Sequence, residues 1–355
     1  MPGRVARAVE PRVLPLLSRR LRYGSVVVAG TNGKTTTARL LAHIMEALGR
    51  VPVHNRAGAN LAAGIGSALV EHADLFGRPS GDVGIFEVDE ATVPRVVPHL
   101  APRVMIFTNL FRDQLDRYGE IDHIAGLWRA TGEALRPDGV VVANGDDPLV
   151  YDAVRGLPGR LVTFGIEDER HALPAIEHTA EARYCYRCGT PYAYSWTYFG
   201  HMGRYRCPTC GTGRPPIDLA ARDVVLAGAD GASFTLAPSG GGQTARITTV
   251  LPGLYNVYNV IAINDNIADG RDVSWLWDVA AIGDVVVDGD EHRRQGASRQ
   301  HRSQDLVEPR GVLGEQHPEL RSADDDPLGP AEGRREGRER PSHPIDGGAH
   351  LEGRR

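Results

Sequence analysis

The sequence predicts an open, mostly parallel α/β sheet that carries a phosphate loop and a small metal-held insert. Three observations predict this fold. Short apolar runs ending in small or polar residues alternate with helical patterns from Ser25 to about Asp147. A glycine loop joins the first of these runs to a helix, and all four cysteines fall as two C-x₂-C pairs between Tyr184 and Gly211.

Residues 1–22, "MPGRVARAVEPRVLPLLSRRLR", are basic and weakly amphipathic, and are expected to form a solvated lead-in helix broken by Pro11 and Pro15. They lack the uninterrupted apolar core and small-residue cleavage site of a signal peptide, and no apolar run has the length of a membrane span. A cytoplasmic protein is expected. The formal charge of −5 over 355 residues gives no bulk attraction to nucleic acid, so any polyanion site must be local.

From residue 23 a single domain is expected to run to residue 258. "SVVVAG" leads into Thr31 and Asn32, "VGIFEV" into Asp89 and Glu90, "VMIF" into Thr108 and Asn109, and "GVVVA" into Asn144, Asp146 and Asp147. Continuous apolar runs of this kind are strands buried on both faces. Their polar ends gather at the carboxyl edge of a parallel sheet, where open α/β folds bind ligands. After Ile217 the pattern becomes alternating, as in "ASFTLAPS" and "ARITTVL", which predicts antiparallel strands closing the domain.

The first strand runs directly into "GTNGKTTT", succeeded by a helix with apolar positions at Leu40, Leu41, Ile44, Met45 and Leu48. Strand, glycine loop and helix N-terminus together make a phosphate cradle: backbone N–H groups of Gly30, Thr31, Asn32, Gly33 and Thr36 face the triphosphate, Lys34 reaches its β and γ groups, and Thr35 holds Mg²⁺. The generic pattern G-x-x-x-x-G-K-[ST] would place glycine at position 28, where this chain has Val28.

"GTNGKTTT" resembles the ATP loop of the Mur ligases, which join an amine to a carboxylate in cell-wall synthesis. Similar blocks come next in the family's order: "EVDE" at 87–90, "TNLFRDQLDRYGEID" at 108–122, "ANGDDP" at 143–148 and "GLYNVYN" at 253–259. The resemblance implies a Mur-type central ATP-binding domain in which ATP converts a carboxylate to an acyl phosphate that an amine then attacks, with Lys34, Thr35 and a Glu87-bound Mg²⁺ as the apparatus. It also implies nucleotide-side contacts at Asn144, Asp146, Asp147, Asn256 and Asn259. Two positions depart from the amino-acid-adding members: Gln114 stands where they have histidine, and Trp128 where they have a lysine that helps a second metal.

The four cysteines, Cys185, Cys188, Cys207 and Cys210, have eighteen residues between the pairs, within the range of a four-cysteine zinc site. Four thiolates fill a tetrahedral ion and leave no position for water, so a structural zinc ribbon is expected over 184–213. Its aromatic residues are expected to pack the ribbon itself, and a nucleic-acid finger is the less favoured reading. A ribbon inserted after "ANGDDP", together with Gln114 and "NDNIADGRDVSWLWDV" at 264–279, resembles the MurT family, the ligase subunits of lipid II isoglutaminyl synthase. That resemblance implies amidation of the D-glutamate α-carboxylate of lipid II at the membrane surface. It also implies a separate glutaminase partner, GatD, because a glutaminase of the usual kind needs a nucleophilic cysteine and all four here are assigned to zinc. It places Asp265, Asp269 and Asp272 in a C-terminal domain near that partner, as candidates to support its active site or the ammonia route.

The C-terminal region departs from the family. Asn259 and Asn264 are almost adjacent, so the stretch that normally separates the two blocks is missing and 259–288 is read as a remnant of the third domain. Residues 289–355, rich in Arg, Gly, Glu and Pro, are expected to be a disordered or frame-shifted tail, with the frame lost near Trp277 to Val287. Three other readings stay open: a remnant that binds ATP or the partner without catalysis, a folate- or peptidoglycan-type amino-acid ligase, and a nucleic-acid-dependent NTPase.

Overall fold

In a computed structural model the described residues are 2–55, 58–111, 120–131, 135–173 and 182–264, with only the backbone described at 120–122. Asp113, Gln114, Asp265, Asp269, Asp272 and the expected tail 289–355 lie outside them.

The elements form one nine-stranded sheet and a separate two-stranded ribbon. Strands β1 (Ser25–Ala29), β2 (Pro52–His54), β3 (Val83–Glu87), β4 (Val104–Phe107), β5 (Val140–Asn144) and β6 (Arg160–Ile166) are parallel. The spatial order β2-β3-β1-β4-β5-β6 makes β1 the strand at which the winding reverses. That is the topological switch point, where the loop after the strand opens into a crevice. β9 (Leu219–Leu226) joins β6 in parallel, and β10 (Ala232–Pro238) and β11 (Ala245–Thr249) finish the sheet antiparallel, as the change of pattern after Ile217 predicts.

Burial explains the continuous apolar runs. Val26 and Val28 face one hydrophobic cluster with α3 (Lys34–Ala47) and α8 (Leu254–Ile261). Val27 and Ala29 face the other, which holds residues of α4 (Ala62–Glu71), α5 (Val93–Leu100), α6 (Glu120–Ala130) and α7 (Pro148–Val154). Successive side chains alternate between faces, so both sets must be apolar when helices cover both sides. No helix among the described residues is long and apolar enough to cross a membrane.

The N-terminal segment differs from the solvated helix expected of it. It forms α1 (Pro2–Val9) and α2 (Val13–Ser18), separated at Pro11, while Pro15 sits in the first turn of α2, where its missing N–H costs nothing. Leu14, Leu17 and Leu21 are buried in the cluster below α4 and α5, and Gly3 packs so closely on α4 that a Cβ would lie 2.1 Å from the Ala63 carbonyl oxygen. The three leucines at a spacing of three and four carry this docking; the surrounding arginines mask them in any averaged hydropathy.

Beyond β6, Asp168 ties the end of that strand to its parallel neighbour β9. Its carboxylate accepts from Val224 N at 2.7 Å and from the Arg170 backbone N at 3.1 Å, and pairs with the Arg170 guanidinium. The Arg170 hydrogen bonds, outweighing burial and aided by the two backbone donors, hold it down to about 2. A carboxyl depressed on folding contributes stability that is present above its unfolded value near 3.8 and is lost as pH falls through about 2. Asp168→Asn is therefore expected to lose about 1–3 kcal/mol at neutral pH. The gap between the urea midpoints of the two proteins should narrow as the pH is lowered below 4 toward 2; a gap independent of pH would show that the charge is not involved.

Candidate active site

The carboxyl edge of the sheet is levelled by register. Val28 pairs with Glu87 and Ile106, Ala29 with Phe107, and Phe107 with Ala143, so the chain segments leaving β1, β3, β4 and β5 emerge together. The loop after β1 turns into α3 through Gly30 (φ 139°) and Gly33 (φ 82°), backbone conformations that an L side chain rarely adopts. Space imposes the same choice at Gly33, where a Cβ would lie 2.1 Å from Asn259 Oδ1.

The "TN" pair ending β4 holds this loop in shape. Asn109 accepts from Asn32 N through Oδ1 at 2.9 Å and from Thr31 N through its carbonyl at 2.9 Å, while its Nδ2 donates to Asn32 O at 3.0 Å. The Thr108 hydroxyl donates to Asn32 O at 2.8 Å. Thr108 and Asn109 were legible in the sequence as polar strand ends, but not as the clamp on the phosphate loop.

Thr35 Oγ1 donates to Glu87 Oε2 at 2.7 Å, and Glu87 is buried. Two oxygens bound at about 2.1 Å in adjacent octahedral positions stand roughly 3 Å apart, so this pair suits Mg²⁺. Asn55, which the sequence reading missed, fixes Glu87 from behind: its Oδ1 accepts from Glu87 N at 2.9 Å and its Nδ2 donates to Glu87 O at 2.8 Å. Lys34 Nζ lies within reach of Gly30 O, of Thr31 O at 3.0 Å and of Glu90 Oε1 at 2.9 Å. Burial pushes the Glu90 carboxyl above its usual range, with the Lys34 charge pulling the other way.

The structure brings Lys34, Thr35, Glu87 and Asn259 to the loop, Asn259 by accepting from Thr37 Oγ1 at 3.5 Å, while its Nδ2 donates to Asn256 Oδ1 at 3.0 Å within α8. Asn144, Asp146 and Asp147 lie two strands away, fully buried and engaged by protein groups. Asn144 Nδ2 donates to Thr108 O at 2.9 Å. Asp146 receives Ile166 N at 2.9 Å, the Tyr258 hydroxyl at 2.8 Å and the Arg214 guanidinium. Asp147 caps α7 through Leu149 N and Val150 N, takes Leu110 N at 2.8 Å and pairs with His201 at 3.2 Å. These residues shape the edge beside the loop from within.

Trp128 occupies the position at which the sequence comparison looked for a lysine. Its ring is fully buried, packs on Phe107 with centroids 4.8 Å apart, and donates from Nε1 to Glu90 O at 3.1 Å. An indole N–H offers no lone pair to a cation, so the residue braces the "EVDE" turn.

The ribbon hairpin, β7 (Ala193–Phe199) and β8 (Met202–Arg206), carries two matched cysteine turns. Cys185 N donates to Thr190 O at 2.8 Å and Gly189 N to Cys185 O at 2.7 Å; Cys207 N donates to Thr212 O at 2.6 Å and Gly211 N to Cys207 O at 3.1 Å. Gly189 and Gly211 have φ of 72° and 74°. The four sulfurs lie within 4.8 Å of one another, near the edge length of about 3.8 Å that four Zn–S bonds of about 2.3 Å would set, so the cluster suits a metal ion. The Thr212 hydroxyl and backbone N–H hold the Cys210 thiol down to about 6, whereas the Cys207 thiol, against the pull of the Cys210 and Thr209 backbone donors, is pushed up to about 11 by burial and its Cys188 and Cys210 partners. Tyr192 and Tyr205 pack edge-to-face at 5.2 Å beside the buried cysteines, so the aromatics do fill the ribbon.

Comparison with known proteins gives the family of the chain. A model of the Mur ligase middle domain matches residues 28–201, and a model of the MurT ligase C-terminal domain matches residues 238–288. The MurT subunit of lipid II isoglutaminyl synthase (glutamine-hydrolyzing) from Staphylococcus aureus strain N315 is 30% identical over 342 residues, covering 78% of this chain and 75% of its own length. The corresponding subunit of Streptococcus pneumoniae is 31% identical over 265 residues, covering 74% and 56%. Among solved structures, MurF from Acinetobacter baumannii superposes with a TM-score of 0.51 at 16% identity, over 77% of this chain and 48% of that one, a likeness of fold alone.

Fold and site define a ligase of the Mur type, with a phosphate loop at the switch point of a mostly parallel sheet. Within that class, the identity over most of the chain and the match to the MurT C-terminal model settle the particular group. The chain belongs to the MurT family.

Proposed function

We propose that the chain is the ATP-dependent subunit of a two-component amidating ligase in peptidoglycan synthesis. It would convert the α-carboxylate of D-glutamate in the lipid II stem peptide to the amide of D-isoglutamine. The observation that carries this reading is the convergence of Lys34, Thr35 and the Asn55-fixed Glu87 on one loop, in a chain whose MurT relatives are named for that synthase.

Carboxylate and ammonia do not condense unaided, because oxide would have to leave. Transfer of the γ-phosphoryl group to the carboxylate gives an acyl phosphate, and attack by ammonia then expels phosphate. Lys34 would neutralise charge on the transferred group, and the loop N–H groups would orient the phosphates. Mg²⁺, held by Thr35 and Glu87, would supply further charge neutralisation between the phosphates. Zinc suits the four thiolates and would have a structural role, since no coordination position remains for water. With all four cysteines in that cluster, ammonia would come from a GatD-type glutaminase, and the lipid-borne substrate would bring the complex to the membrane surface.

The test is amidation of lipid II by the chain and such a glutaminase with glutamine and ATP, read as the mass of the isoglutamine product. Incorporation of a free amino acid instead of ammonia would assign the chain to the amino-acid-adding ligases. A second reading, a subunit that binds nucleotide and partner without amidating, is favoured by one observation. The S. aureus match runs over 342 residues but occupies only 78% of this 355-residue chain, so the relative has segments with no counterpart here. ATP binding without amidation, even with ammonium salt supplied directly, would support it.

A further inference from the structure

We infer that Glu90 is a positioning residue for Lys34: its carboxylate is the counter-ion that the phosphates of a nucleoside triphosphate must displace, and Trp128 fixes the backbone from which that carboxylate reaches. The inference rests on the proposal that this loop binds ATP.

An ammonium group has three N–H donors. Lys34 has three acceptors around it, the carbonyls of Gly30 and Thr31 and the carboxylate of Glu90, so a phosphate oxygen can be reached only by giving one up. The two carbonyls belong to the loop itself, whose shape is held by Thr108 and Asn109. Glu90 is the acceptor that can leave by rotating its own side chain. Lys34 and Glu90 side chains are 11% and 17% exposed, so their attraction is little screened by water and binding must overcome it.

The backbone of Glu90 is pinned while its carboxylate is not. Trp128 Nε1 donates to Glu90 O at 3.1 Å, and the neighbouring Asp89 organises the turn, accepting from Ala91 N at 3.1 Å and Thr92 N at 2.9 Å. A pinned backbone returns the carboxylate to Lys34 whenever the phosphates leave. The arrangement also keeps the ammonium on Glu90 and leaves Glu87 to Thr35. Like any counter-ion, Glu90 weakens ligand binding by whatever its attraction to Lys34 is worth.

The experiment is calorimetric titration of the full chain and its Glu90→Gln variant with ATP, ADP and AMP in magnesium. The expected result is an ATP dissociation constant lowered by about three- to tenfold, the effect of removing one partly buried ion pair of about 0.6–1.4 kcal/mol. AMP, which has no phosphate at Lys34, should bind both proteins alike. Trp128→Phe keeps the ring against Phe107 but removes the N–H donor, and should move ATP in the same direction by less; it also tests the inference should Glu90→Gln fail to fold. Weaker ATP binding by Glu90→Gln would overturn the inference and make Glu90 a ligand of metal or nucleotide. Equal changes for ATP and AMP, or none, would overturn it as well, as a structural or a spectator role. Absence of ATP binding by the wild-type chain would defeat the ATP proposal itself and take this inference with it.

Discussion

Lys34→Ala is expected to lower the rate of ATP-dependent amidation on the order of 10²–10³-fold while leaving the chain folded, with a melting temperature lowered because the Glu90 carboxylate loses its partner. The ammonium is the one cation that the described loop residues place among the phosphate-facing groups, and its loss removes charge neutralisation where the transferred phosphoryl group becomes most negative. The fold should survive, because the loop is held by Asn109 and Thr108 and α3 is anchored by Leu41, Ile44 and Met45. Steady-state rates at saturating ATP, compared with thermal unfolding of the same samples, check both halves. Retention of full activity would remove this loop from the chemistry and sink the proposed mechanism.

The second large effect concerns the metal proposed for the cysteine cluster. Stripping it with a chelator, or replacing Cys207 by serine, should release the ribbon, because sites of this kind contribute about 10–16 kcal/mol of apparent folding free energy and the ribbon core is small. The release should reach the sheet edge. Gly203 N donates to Asp146 O at 2.9 Å, His201 pairs with Asp147, and the Tyr198 hydroxyl donates to Ile166 O at 3.0 Å. Amide hydrogen exchange should therefore accelerate strongly across β7 and β8 and moderately around Gly145 to Asp147, with the β1–β3 pair unaffected. Unchanged protection of β7 and β8 after metal removal would mean that the ribbon stands without its ion.

The central architecture was legible because it arises from patterns that have one physical solution. Continuous apolar runs can be satisfied only between two layers of helices, and the glycines at 30 and 33 mark backbone that other residues cannot adopt. The cysteine spacing carried the ribbon for a similar reason. Distinctions made only by neighbours failed to show. Asp146 and Asp147 end a strand as ligand-facing acids often do, yet the hydroxyl of Tyr258 and the backbone of α7 claim them, and those partners are distant in sequence or local in a way any cap would share. Asn55 comes just after the short edge strand β2 and carries no motif, so its grip on Glu87 had no signal. At Trp128 the sequence told which residue was missing, and only the packing against Phe107 and Glu90 told what replaced it.

Asp146 joins four separate segments: its carbonyl holds the ribbon through Gly203, and its carboxylate holds β6 through Ile166, the ribbon's exit through Arg214, and α8 through Tyr258. It works as a mooring post: one buried side chain locks α8, β6 and the ribbon into a single block. Asn259 sits one residue along α8 from Tyr258, so the ribbon, far from the phosphate loop in sequence, helps to hold that asparagine against Thr37 at the start of α3. Loosening the ribbon would be felt at the loop.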